Sequence, residues 1–236
     1  MKKIIHRASD RGVQDHGWLK AAHSFSFGNY HDSSRMHFGL LRVLNDDVVA
    51  AGMGFGTHSH DNMEIVTIPL KGSLAHKDSL GSNGNISSGE VQIMSAGSGI
   101  QHSEFNGSVT EEVNLLQIWV FPKQRNIEPR YDQMKYDLEK NRNSFLTLVS
   151  PEEKEGIMWI NQDAVFSLGM FDKSKLVSYN IKNPGNGAYV FIIEGKAEIG
   201  GTELGKRDAL GIYDTENIAV CAIEESKILI IEIPMQ

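Results

Sequence analysis

The chain is poor in cysteine, in basic charge and in long apolar runs. Its 236 residues include one cysteine, Cys221, so no disulfide can form within the chain. Asp and Glu total 30 against 23 Lys and Arg, and the net charge of −7 argues against general binding of nucleic acid phosphates. The apolar runs are too short to span a bilayer, and residues 1–7 precede no signal-peptide apolar stretch. We therefore expect a cytoplasmic protein without direct nucleic acid or membrane contacts.

Helical periodicity is scarce, whereas strand signals recur along the whole chain. Short runs of β-branched and aromatic residues alternate with turn clusters, for example at residues 40–44, 65–70, 115–121 and 228–233. The best helical candidate is the polar stretch at residues 131–142, which is too short and charged for a core helix. Many short strands with regular turns predict an all-β sandwich or barrel.

The two halves of the chain repeat one pattern of strands and glycine turns. In the first half an apolar run ends at Gly72 and a second begins after Gly89; Gly195 and Gly205 have the matching places in the second half. Such repetition predicts two related β-domains, residues 1–130 and 131–236, joined by a short linker with little helix. The second half has no His-x-His or His-x-Glu pair, so we assign metal binding to the first.

Two pairs of candidate metal ligands stand out, His58-x-His60 and His102-x-Glu104. Alternate residues of a strand point to the same face, so each pair can present two donors inward. Nine histidines make chance pairs unsurprising, but both pairs lie in glycine-rich segments that follow or precede strand-like runs. Imidazole and carboxylate suit iron, manganese, nickel, copper or zinc, and four protein ligands leave positions open for chemistry.

These motifs resemble the cupin superfamily. Gly52, His58, His60 and Glu64 fit its first motif, while Ser95 stands where the second motif usually has proline. The similarity to the pirin branch is stronger, and it is dense from about residue 7 to residue 119. The segments that are similar to pirin sequence are residues 11–19, 23–30, 41–47, 61–65, 94–97 and 99–104.

The pirin resemblance implies a bicupin, with two jelly-roll-like β-barrels and one metal ion in the N-terminal barrel. Pirins hold their ion through three histidines and a glutamate, which correspond here to His58, His60, His102 and Glu104. Fe(II) is the first expectation for the ion, with Zn, Mn, Ni, Co or Cu as alternatives. Glu64 is then a hydrogen-bond partner of a ligand rather than a ligand itself. Five of the six remaining histidines are assigned structural or surface roles; they are His16, His23, His31, His37 and His76.

The resemblance also implies an activity. Bacterial pirins similar to this chain cleave the flavonol quercetin with dioxygen and release carbon monoxide. Glu104 is the expected catalytic residue, as the base that takes the proton of the flavonol 3-hydroxyl. Animal pirins resemble metal-dependent transcription cofactors, so a regulatory metal-binding protein that acts through a protein partner is the alternative. A sensor or housekeeping binder with a structural metal is a third hypothesis.

Overall fold

The computed structural model describes residues 1–236, and nearly all of its regular structure is β-strand. The one helical segment is a 3-10 turn at Ala8–Asp10, and no helix has the length and hydrophobicity to cross a membrane. This confirms the all-β prediction. The strands in chain order are β1 (Lys2–His6), β2 (Gly12–Asp15), β3 (Leu19–His23), β4 (Leu41–Val49), β5 (Gly54–His60), β6 (Glu64–Lys71), β7 (Ser73–Asp78), β8 (Asn83–Ser87), β9 (Glu90–Ser95), β10 (Ile100–Asn106), β11 (Val113–Val120), β12 (Arg130–Lys135), β13 (Phe145–Ser150), β14 (Met158–Trp159), β15 (Val165–Phe171), β16 (Leu176–Asn180), β17 (Gly187–Glu194), β18 (Ala197–Ile199), β19 (Thr202–Leu204), β20 (Ala209–Tyr213), β21 (Asn217–Ala222) and β22 (Ser226–Ile233).

Each half of the chain contributes one seven-stranded and one four-stranded sheet. In the first half the orders are β12-β9-β6-β11-β4-β3-β2 and β5-β10-β7-β8. In the second half they are β1-β20-β17-β22-β15-β13-β14 and β16-β21-β18-β19. The orders match in the four-stranded sheets and in the central strands of the large sheets, which agrees with an internal repeat. They differ at one edge, where β2 pairs antiparallel with β3 but β14 pairs parallel with β13. The sheets of each half are separate and do not close into one hydrogen-bonded barrel.

The two large sheets exchange their edge strands. β1, from the start of the chain, pairs with β20 so that Lys2 lies opposite Tyr213. β12 instead follows the first half and pairs with β9, with Arg130 opposite Ser95. The division at residues 130 and 131 stays a prediction, and a strand crosses it in each direction. The best helical candidate, residues 131–142, forms no helix, because pairing with β9 holds residues 130–135 extended.

The largest apolar cluster, of 26 buried residues, joins the two halves. It contains Leu116 and Ile118 of β11 from the first half, and Leu229 and Ile231 of β22 from the second. Because alternate residues of β11 face opposite ways, Gln117 points to the other side of its sheet, into the first half. One face of each large sheet thus packs against the other half, and the opposite face lines the interior of its own half.

The interior of the first half is apolar at both ends and polar in the middle. Along the inner face of β11, Leu115 belongs to one small apolar cluster and Trp119 packs against another. Gln117 lies between them, opposite Thr67 of β6, and the two side chains are hydrogen bonded at 2.9 Å. The histidines of the four-stranded sheet lie over this polar layer.

We expect Leu229→Ala to lower the free energy of unfolding by about 2–5 kcal/mol, because it leaves a cavity in the cluster between the halves. Leu176, whose side chain is 67% exposed, is the matched control. Leu176→Ala should change the free energy by about 0.5 kcal/mol or less. Urea denaturation followed by circular dichroism measures both, and equal effects would contradict the assignment of Leu229 to this core.

Candidate metal centre

The candidate ligands lie on two paired strands of the four-stranded sheet. β5 and β10 are antiparallel, and His102 lies directly opposite His58. A β-bulge follows, in which Gly56 and Thr57 of β5 oppose Ser103 of β10. The pairing therefore brings the two sequence motifs to one face of one sheet, as the two-residue spacing predicts.

Three histidines from these strands form a compact cluster. The ring centroids of His58 and His102 are 4.4 Å apart, and each is 4.9 Å from that of His60. One ring nitrogen of each histidine lies within 4.8 Å of the others. His102 is buried, while His58 and His60 are half-buried and lie towards the surface. The cluster is thus open on the side of β5.

Tautomer and charge favour metal binding by these rings. Nδ1 of His58 donates a hydrogen bond to the carbonyl oxygen of Gly56 in the bulge (2.8 Å), which leaves Nε2 to bind an ion. Burial and neighbouring histidines lower the pKa of His60 to about 4 and that of His102 to about 3. Both rings are therefore neutral near pH 7, the form that ligates a metal.

Glu104 is buried beside this cluster and is held by a chain of hydrogen bonds. Its Oε2 accepts from Nε2 of Gln117 at 2.9 Å, and the amide oxygen of Gln117 accepts from the hydroxyl of Thr67. Its Oε1 is buried and has no hydrogen-bond partner. Burial raises the pKa of Glu104 to about 7, an effect that the Gln117 hydrogen bond opposes. One carboxylate oxygen is fixed and the other is available as a donor to an ion.

A fourth histidine, His76 of β7, also reaches the centre, although the sequence analysis gave it a structural or surface role. Donor atoms of His76, His102 and Glu104 lie within 4.8 Å of one another. Glu104 thus groups with His76 and His102, whereas His58 and His60 group with His102 alone. The sequence does carry a signal for this residue, because His76-x-Asp78 has the same two-residue spacing as the other pairs.

Glu64 does not lie where the sequence analysis placed it. Its Oε2 accepts from the hydroxyl of Ser95 at 2.7 Å and from the backbone N–H of Asn161 in the second half at 3.2 Å. Glu64 is opposite Val120, a member of the cluster between the halves. Its side chain therefore faces the second half and not the histidines, so the expected hydrogen bond to a metal ligand is wrong.

The donor set fits a divalent transition metal ion. Three imidazoles and one carboxylate are donors that iron, nickel, zinc and their neighbours accept. Both ring nitrogens of His102 and Oε1 of Glu104 are buried without hydrogen-bond partners. Unpaired buried polar atoms are costly, and a bound cation would satisfy Oε1 of Glu104 and one ring nitrogen of His102. The chemistry of the residues present thus agrees with a metal site.

Comparison with known proteins identifies the family. The sequence model described as Pirin matches residues 6–120, and that described as Quercetinase C-terminal cupin domain matches residues 147–233. The chain is 39% identical over 230 residues to a quercetin 2,3-dioxygenase of Escherichia coli, covering 98% of each protein. The chain belongs to the pirin family. The predicted bicupin is thereby confirmed, as two cupin-type sandwiches.

Other pirin-family relatives match over nearly their whole length. A pirin-like protein of Caulobacter vibrioides is 36% identical over 222 residues, covering 94% of this chain and 95% of that protein. The crystal structure of the bacterial pirin YhhW from Escherichia coli in complex with nickel(II) is similar with a TM-score of 0.93. It is 37% identical and covers 99% of both chains. A metal is thus bound in a close structural neighbour, and the histidine cluster here fits a metal site.

The corresponding strands of the second half carry different residues. β16 and β21 contain neither histidine nor glutamate. Their paired residues Tyr179 and Ile218 belong, with Val220, to the buried apolar cluster of the second half. The confinement of metal binding to the first half stays a prediction.

We expect His102→Ala to lower the affinity for Ni(II) by more than about 100-fold, the upper range for loss of a ligand's hydrogen-bond partner alone. His102 is chosen because both of its ring nitrogens are buried and unpaired. The exposed His31 is the matched control, and His31→Ala should bind as the unchanged chain does. Titration calorimetry with the chelated and reloaded protein measures the affinity, and unchanged Ni(II) binding by His102→Ala would contradict the site.

Proposed function

We propose that this protein is a metal-dependent dioxygenase that cleaves flavonols such as quercetin with dioxygen and releases carbon monoxide. The observation that carries the proposal is the cluster of His58, His60 and His102 beside the buried Glu104. Its support is the 39% identity, over almost the whole chain, to a protein named quercetin 2,3-dioxygenase. The bound ion is proposed to be held by these four residues, with Fe(II) first and Ni, Zn, Mn, Co or Cu as alternatives.

The surroundings of the cluster suit a planar aromatic substrate. The indole ring of Trp119 lies 4.9 Å from the ring of His60, and Phe27 packs edge-on against it at 5.2 Å. Both aromatic side chains are half-buried, so they form an apolar wall next to the open side of the cluster. Apolar walls with a few polar groups are typical of sites for small ligands. We infer that the flavonol ring system lies against this wall.

Glu104 is the proposed catalytic base. When bound, the metal acts as a Lewis acid that lowers the pKa of the substrate hydroxyl. Gln117 donates to Oε2 of Glu104 and keeps the carboxylate turned so that Oε1 is free of other hydrogen bonds. Oε1 can then take the proton of the 3-hydroxyl. The ionised flavonol is electron-rich and reacts with dioxygen, and both oxygen atoms enter the products as the ring opens and carbon monoxide leaves.

A protein partner and a cytoplasmic location remain predictions from the sequence. The regulatory alternative uses the same metal ligands, so metal binding by itself does not separate it from the enzyme. Turnover of a flavonol does.

We expect aerobic incubation of the metal-loaded protein with quercetin to remove the flavonol absorbance and to release carbon monoxide in equal amounts. His58→Ala, which lacks a ligand, is the negative control. Absence of turnover after loading with each of Fe(II), Mn(II), Ni(II), Co(II) and Cu(II) would overturn the proposed enzymatic function and favour the regulatory alternative.

For the base, we expect Glu104→Gln to keep its metal and to lower kcat at least about 100-fold, because the amide cannot take the proton. Glu104→Ala should lose both metal and turnover. Glu198, which is exposed on β18 in the second half, supplies the matched control Glu198→Gln with unchanged kcat. Full activity in Glu104→Gln would remove Glu104 from the role of base.

A further inference from the structure

A fully buried Asp–His pair lies next to the proposed ligands. The side chains of His76 and Asp78 are both 0% exposed, and Nε2 of His76 is 3.1 Å from Oδ2 of Asp78. The other carboxylate oxygen of Asp78 accepts from the backbone N–H groups of Leu80 and Ser82, at 2.9 and 3.0 Å. Because a carboxylate accepts, Nε2 of His76 carries the hydrogen. Nδ1 then has a free lone pair.

The nitrogen with the free lone pair, Nδ1 of His76, is buried and makes no hydrogen bond. The ring is held by Tyr131, which stacks on it with centroids 4.6 Å apart and planes at 29°. His76 lies directly opposite Glu104 across the β10–β7 pair, and its ring is 5.3 Å from that of His102. The ring is thus fixed from two sides and its unused nitrogen is close to two proposed ligands.

We propose that His76, His102 and Glu104 form a second position for a divalent transition metal ion, overlapping the first. The proposal rests on metal binding by His102 and Glu104 as given above, but not on the flavonol reaction. A metal-bound histidine characteristically gives its other ring N–H to a carboxylate, and among the histidines near the centre His76 has that arrangement, with Asp78. Asp78 orients His76, and His76 is the ligand that distinguishes the second position from the first.

Distances separate the two positions. Ligand atoms of one such ion lie about 2.0–2.2 Å from it, so no two of them can be more than about 4.4 Å apart. The limit of 4.8 Å that groups His76 with His102 and Glu104 does not group it with His58 and His60. As the side chains stand here, an ion held by His58, His60 and His102 therefore does not contact His76, and Glu104 joins these three ligands only when its carboxylate moves towards them. The ion has an outer position towards the surface and an inner, fully buried one.

The test removes the outer position and asks whether the inner one still binds. The probe is Co(II) alone, added to the full-length chain carrying His58→Ala and His60→Ala, and followed by its visible absorption and by calorimetry. We expect one Co(II) per chain. Adding His76→Ala should weaken its Kd at least tenfold, whereas adding His31→Ala, the exposed control, should not change it.

Two further variants guard against a purely structural effect. His76→Gln keeps a polar side chain of similar reach against Tyr131, and it should weaken Co(II) binding as His76→Ala does while the melting temperature is kept. Asp78→Asn in the double-variant background should also weaken binding, because its amide can donate to Nε2 and move the hydrogen to Nδ1. No Co(II) binding by the double variant, or equal binding with and without His76, would overturn the inner position. Quercetin turnover by the unchanged chain is scored separately, so its absence leaves this result intact.

Discussion

The antiparallel pairing of β5 with β10 is the contact on which the centre depends. It sets His58 opposite His102 and so turns two distant sequence motifs into one cluster. A shift of one residue would move every donor of the shifted strand to the other face of the sheet. The bulge at Gly56 and Thr57 shifts the register between His102 and Glu104, and the carbonyl group of Gly56 orients His58. Strand pairing thus fixes both the position and the tautomer of a proposed ligand.

The buried polar groups of the centre lower the stability of the fold. Unpaired donors and acceptors of His102, Glu104 and Gln92 are buried in the first half, and each such group costs about 1–3 kcal/mol. The central strands of the second half have the same order, but Tyr179 and Ile218 fill the corresponding sheets with apolar contacts. Together with the cluster between the halves, this apolar core stabilises a chain whose first half is built around polar groups. Buried unpaired polar atoms and buried apolar contacts are therefore distributed unequally between two copies of one architecture.

The features that depend on local spacing could be predicted from the sequence. The period of two at His58-x-His60 and His102-x-Glu104 was enough to place these pairs on strands, and the repeat was enough to predict two β-domains. The features that depend on pairing between distant strands could not be predicted in this way. Residues 131–135, the start of the best helical candidate, form a strand at the edge of a sheet, and Glu64 faces the second half because of its register with β11. His76 was missed because its partner in the centre, Glu104, lies opposite it only once β7 and β10 pair.

The exchanged edge strand β1 has a consequence for how the chain is made. Its partner β20 lies about 200 residues later, with Lys2 opposite Tyr213. At a synthesis rate of about 5–20 residues per second, β1 leaves the ribosome roughly 10–40 s before β20 exists. During that interval the backbone groups of β1 have no native partner, and the exposed Ile4 and Ile5 remain open to contacts with other chains. Completion of the second large sheet is thus a late event, and the first residues made are among the last to fold.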